Sequence, residues 1–109
     1  MFCNPCPSSA GIITKHKVID RTSMNSWLDP TFRKAAAATG RKKFVLAGLW
    51  TEACVMFPAL DMLNQGYEIY IPADACGGLS LEAHNRAMDR AVQAGVIPIT
   101  SFQYVLELQ

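Results

Sequence analysis

A cysteine stands where a buried strand is predicted to turn into a helix. Cys54 follows the apolar run at 43–49, and a helical pattern of apolar residues begins near Thr51. In the first turn of a helix, free backbone N–H groups and the positive end of the dipole favour a thiolate, the nucleophilic form of cysteine. The same N–H groups can hold the oxyanion of a tetrahedral intermediate. Position alone leaves two interpretations, a nucleophile or a packing residue, because free cysteine is among the most buried residue types.

The residues just before Cys54 carry further candidate groups. Thr51 is expected to cap the helix, and Glu52 is expected to complement its positive end. A role for Glu52 as a substitute general base remains an alternative. Trp50 is expected either to contact a substrate or to pack in the core, because its ring offers a large apolar area.

The remaining polar candidates favour structural roles. Asp74 follows a predicted strand and is expected to cap the glycine loop at 77–78. Cys76 is interpreted as a thiol at a strand end, because no base or cation is evident nearby in the sequence. His84 falls inside a predicted helix, where a packed or solvated side chain is the expected state. His16 has no second ligand nearby in the sequence. We therefore predict no metal site and no cofactor.

A C-x-x-C pair, Cys3 and Cys6, lies near the start of the chain. A structural zinc site needs about four ligands, and no second pair with the required spacing follows. A redox role is a further alternative, but the pair does not precede a helical pattern, as a thioredoxin-like motif would. We therefore interpret residues 1–14, which contain Pro5, Pro7 and Gly11, as an irregular segment.

The elements that must position these groups alternate along the chain. The apolar run at 43–49 is typical of a strand covered on both faces. The pattern predicts strands at 17–20, 43–49, 67–73 and 96–100, and helices at 29–40, 51–66, 80–95 and 102–108. Such alternation indicates an α/β fold with a parallel sheet. Ligands bind beyond the carboxyl ends of the strands in such sheets, which is where Cys54 falls.

Composition narrows the class of protein. The chain has 109 residues, 50% hydrophobic and 17% charged, with a net charge of +1. These values fit one globular domain. A net charge so close to zero does not indicate binding to nucleic acid or to an acidic membrane surface. No apolar run approaches the roughly 20 residues that span a bilayer. The first residues do not form a signal peptide, so a cytoplasmic location with four reduced cysteines is expected.

The segment 48–55, GLWTEACV, resembles the nucleophile motif G-x-x-T-[DE]-x-C-V of the isochorismatase-like cysteine hydrolases. The resemblance extends to residues 19–27, 57–60, 66–68, 74–75 and 82–84 and covers about residues 18–109. It implies a Rossmann-like three-layer sandwich with a parallel sheet. We assign 15–109 to a partial domain of this kind.

The resemblance implies a catalytic site made of an aspartate, a lysine and a cysteine. Cys54 matches the nucleophile, and Arg21 stands at the position of the lysine. The backbone amides of Trp50 and Cys54 are implied as oxyanion donors, beside a non-proline cis peptide between Leu49 and Trp50. Arginine is a fixed cation that does not exchange protons near neutral pH, so Arg21 is expected to act electrostatically.

The loop after Arg21 completes the expected site. Asn25 and Trp27 are expected to line a substrate pocket together with Trp50. For Trp27, packing in the core is an equally weighted alternative, because its side chain is large and apolar.

One part of the family's site has no match in this sequence. The family's catalytic aspartate ends the first strand, in a half-domain that precedes everything matched here, so the expected fold is truncated at its N-terminal half. The implied function is hydrolysis of C–N bonds in a small amide or ureido compound, with activity reduced or lost without the aspartate. The alternative is a non-catalytic remnant that acts as an oligomerisation or binding module. An open sheet edge and an uncovered apolar face would favour a homo-oligomer.

Overall fold

The chain folds as an α/β unit with parallel strands. A computed structural model describes Ile19 and residues 23–109. The strands are β1 Lys43–Val45, β2 Gly48–Leu49, β3 Glu68–Pro72, β4 Cys76–Gly77 and β5 Ile97–Ile99. The helices are α1 Pro30–Ala38, α2 Met56–Asn64, α3 Leu81–Ala94 and α4 Ser101–Glu107. Short 3-10 turns lie at Ser26–Leu28 and Ala73–Ala75, and a π-helical turn covers Thr51–Val55.

The main sheet has three parallel strands in the order β1, β3, β5. Phe44 pairs with Ile69 in the first ladder, and Ile71 pairs with Pro98 in the second. Because β5 is an edge strand, Pro98 leaves no hydrogen bond of a central strand unmade. The predicted parallel α/β architecture is confirmed.

The predicted strand at 43–49 is divided into two. β1 belongs to the main sheet, whereas β2 pairs with β4 in a separate two-stranded parallel sheet. Gly48 adopts a φ of 137°, a conformation that side chains disfavour, so the chain changes direction between the two strands. The prediction of a strand covered on both faces was wrong for most of this run, because Leu46 is buried but Val45 and Leu49 are 40% and 60% exposed. The apolar run also carried no information about the break, and β4 was not predicted.

The helix boundaries follow local signals in the sequence. The Asp29 carboxylate accepts the N–H of Thr31 at 2.8 Å, and Pro30 occupies the first position of α1. Ser80 caps α3 by accepting the N–H of Ala83 at 3.0 Å. Gly95 ends α3 with a φ of 115°, a left-handed conformation that glycine adopts readily.

The core lies between the central strand and helices α2 and α3. Ile69 and Ile71 project from β3, and both are almost fully buried. The other members of the buried cluster come mainly from α2 and α3: Leu46, Val55, Met56, Ala59, Met62, Ala87, Met88, Ala91 and Val96. The core therefore fixes the start of α2, next to Cys54, against α3.

Several predictions lie outside the described residues. These are the irregular segment at 1–14, the pair Cys3 and Cys6, and the strand at 17–20 apart from Ile19. Arg21 also lies outside them. Among the described residues, every helix is too short or too polar to cross a bilayer.

Candidate active site at the start of helix α2

Cys54 lies in the turn that joins β2 to α2. Its residue is 9% exposed and its thiol is free. The peptide bond between Leu49 and Trp50, just before the turn, is cis, and the Trp50 residue is 43% exposed. A buried thiol and an exposed aromatic ring thus follow the carboxyl end of β2, with three residues between them in the sequence. In parallel α/β folds this edge is where ligands bind.

The turn that carries Cys54 is not α-helical. The carbonyl of Trp50 accepts two N–H groups, from Ala53 at 3.1 Å and from Val55 at 3.3 Å. The second of these bonds has the i→i−5 spacing of a π-helix. Pro58 has no N–H to donate to the carbonyl of Cys54, four residues earlier, so a regular α-helical turn cannot form here. We refer to residues 50–54 as the nucleophile turn, after the role that the sequence predicts for Cys54.

The sequence predicted that Thr51 caps the helix, but in the structure it does not. Its hydroxyl lies 2.7 Å from Nδ1 of His84, and the residue is only 1% exposed. Which of the two groups donates depends on the imidazole tautomer. The local sequence around Thr51 could not reveal this partner, because His84 lies on α3. The hydrogen bond joins the nucleophile turn to α3.

Glu52 forms a second hydrogen bond, between the nucleophile turn and the loop before α3. Its Oε2 accepts the N–H of Leu79 at 2.9 Å. Its Oε1 is buried without a partner among the described residues, close enough to Gly78 that a Cβ there would approach it to 2.7 Å. Both carboxylate oxygens therefore face the loop before α3. This position does not support the alternative role of Glu52 as a base for Cys54.

Asp74 caps a different segment from the one that the sequence predicted. Its Oδ1 accepts the backbone N–H of Ser101 at 2.8 Å and the Ser101 hydroxyl at 3.0 Å, not the glycine loop. The N–H of Ser101 lowers the pKa of the Asp74 carboxyl. Desolvation opposes this effect in part, and the Ser101 hydroxyl lowers the pKa further. Asp74 thereby connects the end of β3 to the start of α4.

The lowered pKa of Asp74 predicts a pH-dependent effect of the Asp74→Asn variant. A depressed native pKa contributes stability above the unfolded value of about 3.9, and this contribution is lost as pH falls through the native pKa. We expect Asp74→Asn to lower the urea midpoint at pH 7, and the difference from the parent to shrink as pH falls below about 4. The measurement is urea unfolding followed by circular dichroism at pH 7 and pH 3.

A matched control for this variant is Asp89→Asn. Among the described residues, Asp89 forms an exposed ion pair with Arg86, which contributes little to stability. An Asp74→Asn midpoint equal to that of the parent at pH 7 would contradict the structural role of the carboxylate.

The second cysteine near this edge has a different environment. Cys76 begins β4 and is half-buried. Burial raises the pKa of its thiol, partly offset by a hydrogen bond from the backbone of Gly48. Its thiol therefore stays protonated at neutral pH, which makes Cys76 an internal reference for the reactivity of Cys54.

The structure does not bring Asn25 and Trp27 to Cys54. The Asn25 amide donates to Asp61 at 2.7 Å, and Asp61 lies about 10 Å further along the helical segment than Cys54. The Trp27 ring packs edge-on against Tyr67, with centroids 5.6 Å apart. Both contacts lie towards the end of α2 or just beyond it, and the ring contact of Trp27 is of the kind that the packing alternative expected.

Comparison with known proteins identifies the family. The isochorismatase domain matches residues 10–103, and the chain therefore belongs to the isochorismatase domain family. The curated "Probable hydrolase YcaC" of Escherichia coli K12 is 38% identical over 86 residues, covering 79% of this chain and 41% of the relative. The resemblance inferred from GLWTEACV is confirmed.

Two solved structures show the same fold with substantial identity. One is the YcaC gene product of Escherichia coli, described as an octameric hydrolase of unknown specificity: TM-score 0.84, 35% identity, coverage 88% of this chain and 48% of that chain. The other is YcaC from Pseudomonas aeruginosa with hexane-2,5-diol and covalent acrylamide: TM-score 0.84, 30% identity, coverage 89% and 48%. The chain spans less than half the length of these relatives.

Proposed function

We propose that this protein is a hydrolase in which Cys54 is the nucleophile and a small amide or ureido compound is the substrate. The observation that carries the proposal is the position of Cys54, in the turn between β2 and α2 and close to the exposed Trp50. Membership of the isochorismatase domain family supports a hydrolytic reaction. The covalent acrylamide named for the Pseudomonas aeruginosa relative supports a nucleophile in such a site, because acrylamide is an electrophile that thiolates attack.

The proposed reaction has two stages. The Cys54 thiolate attacks the carbonyl carbon, and the carbonyl electrons move to oxygen to give a tetrahedral oxyanion. The C–N bond then breaks, and the nitrogen takes a proton from water as the amine leaves. Water next attacks the thioester, which releases the acid and restores the thiol. We assign the oxyanion to the backbone N–H groups of Trp50 and Cys54, which lie at the two ends of the nucleophile turn.

The electrostatic partner in the proposal is Arg21, which matches the family's basic position in the sequence. We assign no general-base role to Glu52, because its oxygens face the loop at 77–79. The proposal includes a cytoplasmic location, where a nucleophilic thiol stays reduced. No residue is assigned to hold a metal or a cofactor.

We propose that the protein assembles as a homo-oligomer. The relative from Escherichia coli is octameric. In this chain, the short helix α4 exposes the apolar side chains of Phe102, Val105 and Leu106, each more than half exposed, and Leu108 follows directly. Contact with another copy would remove this apolar surface from water.

The hydrolytic proposal is tested with a panel of small amides and ureido compounds, in which release of ammonia or amine is measured. We expect release by the parent, and a decrease of roughly a thousandfold or more in Cys54→Ser, because hydroxyl is a far weaker nucleophile without activation. Cys76→Ser is the matched control and should retain the parent rate. Equal release by the parent and Cys54→Ser would contradict the proposal and favour the binding-module alternative.

A further inference from the structure

The nucleophile turn does not have the hydrogen bonds of a regular α-helix start. The carbonyl of Trp50 accepts from Ala53 and Val55, and the carbonyl of Thr51 accepts from Met56 with the i→i−5 spacing of a π-helix. Pro58 cannot supply the usual bond to the carbonyl of Cys54. The α-helical bonding is therefore incomplete at Cys54, and contacts from other elements contribute to the position of its thiol and of the neighbouring N–H groups.

The contact that reaches the turn most directly comes from His84. The distance of 2.7 Å between Nδ1 of His84 and Oγ1 of Thr51 lies at the short end of the hydrogen-bond range. Thr51 is 1% exposed, so water does not compete at its hydroxyl and the bond is stronger than it would be at the surface. Thr51 lies between Trp50 and Cys54, whose N–H groups are the proposed oxyanion donors.

The element that carries His84 is itself well anchored. The backbone N–H of His84 donates to the carbonyl of Ser80 at 3.0 Å within the first turn of α3. Ala87, Met88 and Ala91, further along α3, are buried in the core. A side chain on such a helix holds a site more accurately than one on a loop. The bond between Glu52 and Leu79 ties the same turn to the segment just before α3.

We propose that His84 is a positioning residue for the nucleophile turn, acting through the hydroxyl of Thr51. The inference rests on the proposed function, because it assigns His84 a role in the reactivity of Cys54. His84 does not contact the substrate in this account. It keeps the turn at the angle at which the thiol and the oxyanion donors face the same carbonyl group.

Acrylamide is a suitable probe because its reaction uses both parts of the site. The thiolate forms an S–C bond to the terminal carbon, and the electrons of the C=C bond move towards the amide oxygen, which becomes negative. Water then protonates the carbon next to the carbonyl. Iodoacetamide reacts by displacement of iodide and builds up no such charge on the oxygen. A misplaced turn should therefore slow acrylamide more than iodoacetamide.

The test compares His84→Ala, His84→Asn and Asn85→Ala with the parent, using adduct formation at Cys54 and Cys76 read by peptide mass spectrometry. Asparagine can place a polar atom close to the position of Nδ1, whereas Asn85 is an exposed neighbour on the same helix. We expect His84→Ala to slow acrylamide addition at Cys54 by roughly ten- to a hundredfold. His84→Asn should recover most of the rate, and Asn85→Ala should match the parent, with Cys76 unchanged throughout.

Circular dichroism at the assay temperature shows that each variant is folded. If His84→Ala does not fold, the same adduct rates are measured for Thr51→Val and Thr51→Ser. We expect slower acrylamide addition at Cys54 in Thr51→Val than in Thr51→Ser, because only serine keeps the hydroxyl. A parent rate at Cys54 in His84→Ala, or no recovery in His84→Asn, would overturn the inference. A Cys54 that is unreactive in the parent would instead contradict the proposed function itself, so the two failures are distinguishable.

Discussion

The Gly78→Ala variant is expected to lose about 1–3 kcal/mol of unfolding free energy, the usual cost of forcing an extra carbon into a packed site. A Cβ at this position would lie 2.7 Å from Glu52 Oε1 and 2.9 Å from the backbone nitrogen of His84. The glutamate can rotate away, but the nitrogen of His84 is bonded within the first turn of α3. Either the loop or the start of α3 must therefore move.

Gly77→Ala is the matched control for this substitution. Its Cβ would meet only the end of the Leu49 side chain, at 2.9 Å, and Leu49 is 60% exposed. That flexible side chain can rotate into solvent, so we expect a change of about 0.5 kcal/mol or less. Urea unfolding of the two variants measures the difference, and equal midpoints would show that the loop at 77–79 does not pack against α3 as described.

Local signals in the sequence predicted most helix boundaries well. Asp29 and Ser80 cap α1 and α3 with their own side chains, and Gly95 ends α3 in a left-handed conformation. Each of these outcomes depends on groups within a few residues, which is why composition and spacing suffice to predict them. The placement of Cys54 in a turn between a strand and a helix was predictable for the same reason.

Partners that are distant in the sequence were not predictable. Thr51 bonds to His84, and Asp74 bonds to Ser101 instead of the nearby glycine loop. In both cases a suitable local role existed, but a partner on another element replaced it. No pattern along one segment reveals which element packs beside it, so these contacts needed the three-dimensional structure.

The division of the strand at 43–49 has a similar origin. The apolar run predicted a strand covered on both faces, but in this run only Leu46 is buried, and Val45 and Leu49 are exposed. It does not report where the strand changes partner. That change depends on Gly48, whose φ of 137° permits β2 to leave the main sheet and pair with β4.

The second large effect concerns the chemistry of Cys54. We expect its thiol to react with acrylamide at neutral pH at least roughly tenfold faster than that of Cys76, because the proposed oxyanion donors beside Cys54 would stabilise the negative charge that builds up on the acrylamide oxygen. Cys76 should react slowly, since burial raises the pKa of its thiol. Cys54 is buried and Cys76 is half-buried, so solvent access alone would make Cys76 the faster-reacting thiol. We expect the reverse order.

Site-resolved alkylation of the native protein is therefore the most direct test of the account. The protein is treated with acrylamide at neutral pH, and the adducts at Cys3, Cys6, Cys54 and Cys76 are quantified over time by peptide mass spectrometry, with Cys54→Ser as the control for peptide assignment. The account predicts that the Cys54 adduct forms first and saturates while the Cys76 thiol remains largely unmodified. An inert Cys54, or four cysteines that react at the same rate, would contradict the assignment of Cys54 as the nucleophile.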